Sequence, residues 1–295
     1  MIDQVDANRL VGRWRTRLEI DIAPELEHVD HISEFECPSC GLLFHSPAAA
    51  GSAELYRQLQ AHPWYYSGEK WEDRQALADI PRRSAVLEVG CGFGSFLELV
   101  RKKRHAEVSG IDLNEAAVEV ARELERPVAE ADICDLAAQG SAQFDIICAF
   151  QVLEHVPNPR RFLQACVALL KPGGRLCIGV PNNDGYLGKQ PFEDALLNHP
   201  PHHITRWSAR SLMSLAALFP LKLRRLSFEP LEEIHVPEYL TAQLDSVGPL
   251  GRLNIVRSRG GRLCSIALCK LGLRHLLRGH TVYASYIRTT AVAVS

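Results

Sequence analysis

The stretch Val86-Leu87-Glu88-Val89-Gly90-Cys91-Gly92-Phe93-Gly94 decides the fold. A short apolar run leads directly into glycines at alternate positions. Residues 95–103 follow, with Phe96, Leu97 and Val100 on one helical face. This reads as strand, loop and helix. Glycines let the backbone turn sharply and approach a ligand where a side chain would collide. The free N–H groups at the start of the following helix can meet a carboxylate or phosphate. The spacing is G-x-G-x-G. The nicotinamide fingerprint G-x-G-x-x-G requires a glycine where this chain has Ser95.

Outward from the loop, short β-branched runs alternate with helical stretches, the pattern of a parallel α/β sheet. Residues 84–89, 107–111, 127–130, 144–150 and 175–180 read as strands, and 144–150 is almost wholly apolar, as suits a strand covered on both faces. Asn114 is placed to cap a helix over 115–124, and Pro159 to open one that runs to Leu170. Lys171-Pro172-Gly173-Gly174 ends that helix and turns the chain into the fifth strand. Residues 208–219 read as a further helix capped by Ser208, and 280–288 as a closing antiparallel strand. Asp112 ends the second strand, eighteen residues after Gly94. In a doubly wound sheet the carboxyl ends of the first two strands are neighbours, so an acid there can accept both hydroxyls of a ribose. Its alternative role is to cap the turn before Asn114.

Taken in order, 86–94, Gly110-Ile111-Asp112, Glu130-Ala131-Asp132-Ile133, 144–157 and 170–182 resemble successive motifs of class I S-adenosylmethionine-dependent methyltransferases. The resemblance spans roughly 100 continuous residues and includes Phe150-Gln151-Val152-Leu153-Glu154-His155-Val156 after the fourth strand. It implies a seven-stranded, mostly parallel, doubly wound sheet with S-adenosylmethionine as methyl donor. Glu88 and the Gly90-Cys91-Gly92 backbone, with Gly94, would face the methionine half. Asp112 would hold the ribose and Leu113 would lie against the adenine. Asp132 would accept the adenine amino group with Ile133 beside it, and Gln151 would lie near the methionine. Two other functions compete: a nicotinamide oxidoreductase on the same sheet, disfavoured by Ser95, and a cofactor-binding scaffold without turnover.

The acceptor side is less specific. Asn198-His199-Pro200-Pro201-His202-His203-Ile204 follows the fifth strand, where a substrate lies in such a fold. An imidazole titrates in the range useful to a base, so His202 and His203 are the catalytic candidates, against a reading in which they only pack or bond locally. The loop and the helix after it are similar to those of sugar, glycan and quinone-pathway methyltransferases, which implies a small-molecule or saccharide acceptor and transfer most often to a hydroxyl oxygen.

Cys37-Pro38-Ser39-Cys40-Gly41 looks like one knuckle of a zinc ribbon, as found ahead of some related methyltransferases. A ribbon needs two pairs, and here His28 and His31 offer the only nearby complement. The expectation is therefore a ribbon-like segment without metal, and no residue is assigned as a metal ligand. Tyr56, Trp64, Tyr65, Tyr66 and Trp71 would pack over the cofactor pocket, either lining an acceptor site or as plain core. The organisation expected is an N-terminal segment over 1–80 and a catalytic domain over 81–295, with a basic helical insertion at about 250–280. That insertion would pack on its own domain, the alternative being contact with a membrane surface.

A formal net charge of −2 over 295 residues recruits neither nucleic acid nor anionic membrane. Nine scattered cysteines and no apolar N-terminal run fit reduced thiols in a cytoplasm. Oligomeric state is left open.

Overall fold

The computed structural model describes residues 1–62, 65, 69–190, 192, 195–245 and 270–289. The chain opens with β1 (Asp3–Asp6) and α1 (Ala7–Leu18), then β2 (His31–Glu36), β3 (Leu43–Ser46), α2 (Ala53–Gln60) and α3 (Trp71–Asp79). The βα alternation follows: β4 (Ala85–Val89), α4 (Ser95–Arg104), β5 (Glu107–Asp112), α5 (Glu115–Glu123), β6 (Val128–Glu130), α6 (Ile133–Gln139), β7 (Phe144–Phe150), α7 (Pro159–Leu169) and β8 (Leu170–Pro181). The last elements are β9 (Thr205–Arg206), α8 (Ala209–Leu218), β10 (Leu221–Pro230), α9 (Val236–Asp245) and β11 (Arg278–Arg288).

Seven strands form the main sheet in the order β10-β11-β8-β7-β4-β5-β6. β4 through β8 run parallel, whereas β11 lies antiparallel between β8 and β10. The order reverses between β4 and β7, and in such sheets ligands bind outside the carboxyl ends at that point. The glycine loop leaves β4 there. Leu87, Ile147, Ile178 and Val282 are each no more than 1% exposed and stack across the sheet. Burial of such side chains stabilises by about 1.5–3 kcal/mol each. The strands and helices expected between residues 84 and 219, and the closing strand at 280–288, are present, most with ends shifted by one or two residues. Lys171–Gly174 is looped out between the pairs Phe144↔Leu170 and Ile146↔Arg175, so β8 begins before its expected start.

A second sheet, β1-β2-β3-β9, is antiparallel, and its fourth strand comes from beyond residue 200. Its core joins Leu10, Trp14 and Ile32 to Phe192 and Leu196. α3 belongs to the main sheet instead, since Ala76 and Ile80 pack with Val86, Phe96 and Tyr283. The segment 1–80 is thus woven into the rest of the chain on both sides.

The insertion expected at about 250–280 falls largely outside the described residues. In its described end, Arg274 donates to the carbonyl of Leu231 at 3.0 Å and Arg278 stacks over Phe228 at 3.9 Å. Trp64 and Tyr66 also lie outside the described residues. No helix among those described is long and apolar enough to cross a membrane.

Candidate active site

Gly90, Gly92 and Gly94 all have positive φ, at 68°, 52° and 73°. At Gly90 a Cβ would sit 2.3 Å from Cγ2 of Val152, so the loop after β4 closes against the segment after β7 only without a side chain. Asp112 fastens the loop from the other side. Its Oδ2 accepts the Gly92 N–H at 2.7 Å and its Oδ1 accepts the Asn114 N–H at 2.8 Å. The turn-capping reading of Asp112 therefore holds. Each oxygen keeps a second lone pair, so a ribose can still be accepted. Asn114 starts α5 but does not cap it with its side chain; its amide donates to Gln60 Oε1 at 2.7 Å.

Beside this loop lies a small open cleft, lined among others by Lys70, Asp73, Glu88, Gly92 and Phe150. Glu88 is buried on the cleft wall, and its Oε2 has no partner within the protein. Burial first, then the neighbouring Asp73, pushes its carboxyl well above the usual range. An orphaned carboxyl on a cleft wall, next to a backbone cradle that a Cβ would fill, fits a cofactor that brings donors of its own. The Cys91 thiol packs against Gly110, and burial raises its pKa far above normal, so it contributes shape and no nucleophile.

Leu113, Asp132, Ile133 and Gln151 follow the carboxyl ends of β5, β6 and β7. Leu113 is 68% exposed at the end of β5, an apolar side chain without a core to fill. Asp132 caps α6 by accepting the Cys134 N–H at 2.6 Å, and Ile133 is buried in the main core. Gln151, at φ 55°, hydrogen-bonds through its N–H to the Gly179 carbonyl and through its amide to Glu72 Oε1 at 3.0 Å.

α3 supplies what the sequence reading missed. Glu72, Asp73 and Asp79 are all buried on its inner face, where a helix packing on a sheet would carry apolar residues. Acids at such spacing were the available signal. Asp73 accepts the Lys70 N–H at 2.9 Å, and burial lifts its carboxyl to about 6. The Lys70 ammonium is close enough to act electrostatically on Glu88, Glu154, His155 and His280, which ties the cleft to the histidine loop.

That loop is packed tightly. His202 and His203 are 6% and 7% exposed, and both lie against His155 from the segment after β7, with ring centroids 4.6 and 4.7 Å away. Tyr56 and Tyr65 close over them, with hydroxyls 3.1 Å from His155 Nδ1 and 3.2 Å from His202 Nε2. These aromatics therefore contact the histidines directly. Burial lowers His202 to about 3 and His155 to about 4 and takes His203 well below its ordinary value. A lone general base works best with a pKa near the operating pH. In this setting neither His202 nor His203 is a free imidazole, and both make the packing and hydrogen-bond contacts that the competing reading expected. Glu154 behaves oppositely: it is 1% exposed, neither oxygen has a partner, and burial raises its carboxyl to about 8.

The knuckle forms a turn, with the Cys37 N–H bonded to the Leu42 carbonyl at 2.8 Å and Gly41 at φ 72°. His28 points into solvent beside Glu27, and among the described residues no His, Asp or Glu joins Cys37 and Cys40 at ligand distance.

The family model described as a methyltransferase domain matches residues 51–225, from the approach to α2 into β10. The chain belongs to this family and is an S-adenosylmethionine-dependent methyltransferase, which sets aside the nicotinamide alternative. Among curated relatives, the ubiquinone biosynthesis O-methyltransferase of Azoarcus sp. (strain BH72) is 34% identical over 169 residues, covering 51% of this chain and 70% of that one. The enzyme of the same name from Bordetella avium (strain 197N) is 30% identical over 177 residues, covering 55% and 73%. That of Pseudomonas paraeruginosa (strain DSM 24068 / PA7) is 41% identical, over 38% of this chain and only 49% of its own.

Of solved structures, the [4+2]-cyclase SpnF superposes with a TM-score of 0.51 at 17% identity, over 82% of this chain and 98% of its own. A methyltransferase of Haloferax volcanii in complex with its Trm112 activator gives 0.51 at 17%, over 75% and 90%. These two likenesses establish the fold alone, and a cyclase on it shows that the sheet does not choose the reaction.

Proposed function

We propose that this enzyme transfers the methyl group to a hydroxyl oxygen of a small-molecule acceptor seated between the cofactor cleft and the His155–His202–His203 cluster. The observation that carries the reading is the adjacency of the two regions. Val152 closes on Gly90, and three residues on, His155 meets both histidines of the loop. The O-methyltransferase names of the relatives support oxygen as the accepting atom. No observation favours a saccharide over other small molecules.

The sulfonium cofactor supplies an electrophilic methyl, and the protein's task is to align it with the acceptor and take up a proton. Gly90 and Gly92 offer a close backbone, Asp112 the ribose acceptor, Asp132 and Leu113 the adenine rim, and Glu88, Gln151 and Lys70 the groups around the methionine end. The deprotonation falls to the cluster of Glu154, His155, His202 and His203 acting together, since the imidazoles are poor bases singly.

The test is calorimetry with S-adenosylmethionine, its demethylated product and NAD, followed by turnover with a panel of phenols, hydroxylated quinone precursors and sugars. Demethylated cofactor together with an O-methyl product is expected, lost in Glu154→Gln. Absence of sulfonium binding, or methylation confined to carbon or nitrogen, would reject the proposal.

A further inference from the structure

The rings of His155, His202 and His203 pack against one another, and their nitrogens converge as well. One ring nitrogen from each lies within 4.8 Å of one from each of the others. The Nδ1 atoms all face oxygens: His155 the carbonyl of His202 at 2.6 Å, His202 the carbonyl of Leu197 at 2.8 Å, His203 the Oδ1 of Asn198 at 3.3 Å. An Nδ1–H donated to oxygen fixes the tautomer and leaves Nε2 with a free lone pair, the arrangement that supports imidazole ligands in metal sites. At His202 that lone pair is in use, accepting from the Tyr65 hydroxyl at 3.2 Å. The second observation is Glu154, whose carboxylate lies 4.0 Å from His203 Nε2, 1% exposed and with both oxygens unpartnered. A buried carboxyl with both oxygens unpartnered is costly, and a cation that displaces its proton would relieve it.

We propose that His155, His202 and His203 bind a divalent first-row transition-metal ion, of the imidazole-preferring kind exemplified by Zn²⁺, with Glu154 as the adjoining anion. Three nitrogens and an open position is the ligand set of a catalytic site. Tetrahedral bonds of about 2.0–2.1 Å separate ligands by about 3.4 Å. Small ring rotations, with release of the Tyr65 hydroxyl, therefore close the site. The group of Glu34, His45 and His199 is no equivalent, because the Arg206 guanidinium already holds Glu34 at 2.6 Å and would repel a cation. Resting on the hydroxyl reading above, the ion's open position would take the acceptor oxygen and lower its pKa, and Glu154 would receive the proton as the O–H bond breaks.

The test needs no methyl donor or acceptor. Tag-free protein is stripped with chelator and titrated with Co²⁺, followed by its visible ligand-field bands, and with Zn²⁺, followed by calorimetry and thermal melting. The expected result is one equivalent bound without thiolate charge-transfer bands, and a rise in melting temperature with Zn²⁺. His155→Gln and His203→Gln should melt as wild type does in chelator, yet bind at least about tenfold more weakly. Tyr65→Phe should bind undiminished. The proposal is overturned by absence of binding, by bands that persist in the histidine variants, or by their loss in Cys37→Ser. Metal binding without O-methylation would reject the hydroxyl reading and leave the site standing.

Discussion

Asp112 Oδ2 accepts the backbone N–H of Gly92 at 2.7 Å, so the acid that ends β5 fastens the loop that ends β4. The same carboxylate accepts the Asn114 N–H. Asp112→Asn keeps the shape but turns one of these acceptors into a donor. A loss of about 1–3 kcal/mol in urea unfolding is expected, together with at least a tenfold weaker affinity for S-adenosylmethionine by calorimetry. Unchanged affinity would remove Asp112 from the ribose.

Gly90 and Val152 form a second tight contact. Gly90→Ala meets both a positive φ and the Val152 methyl, so its cost should exceed the roughly 1–2 kcal/mol of the backbone conformation alone. Val152→Ala should return part of that cost. A double-mutant cycle measured by denaturant is expected to show a coupling of about 1 kcal/mol, and strict additivity would refute the contact.

Asp73 makes stability depend on pH. Its carboxyl sits at about 6 when folded against an ordinary 3.8, so the folded state holds the extra proton between those values. The contribution is complete below about 3.8 and is lost as pH rises through about 6. Asp73→Asn should flatten the stability curve over that window and leave the variant the more stable at pH 7, by at most about 3 kcal/mol. Parallel curves for the two proteins would contradict the assignment.

Arg206 on β9 and Glu34 on β2 pair within the small sheet and tie its late strand to its N-terminal ones. They are 3% and 5% exposed, and His45 Nε2 lies 3.3 Å from the same Glu34 oxygen. Burial opposes ionisation of Glu34, but His45 and Arg206 outweigh it and hold the carboxyl below the usual range. Arg206→Met strands the charge and should cost about 3–5 kcal/mol. Adding Glu34→Gln should recover a large share, read as the shift in melting temperature of the double variant over the single one.

The cofactor side was legible because its signals are local. A positive-φ glycine, a β-branched run and a helix start are properties of consecutive residues, and 86–94 displays all three. The buried acids of α3 were harder to read, because Glu72 and Asp73 look like any solvated helix surface until a cleft is placed against them. The setting of His202 and His203 was hidden for the same reason. Their residue type announces a base, whereas their basicity depends on burial that no neighbour in sequence controls.

By itself the sequence determined the βα succession from β4 to β8 and the glycine loop with its acid after the second strand, and through its resemblance to known methyltransferases it implied the methyl donor. Backbone preference and side-chain periodicity are written over a few residues at a time. The tertiary structure alone decided that His155 meets His202 and His203, forty-seven residues further on, and that β9 leaves the histidine loop to complete the N-terminal sheet. Those meetings follow from which strands become neighbours and from the packing of α2 over the loop, and chemistry shared by distant segments exists only once the sheet has formed.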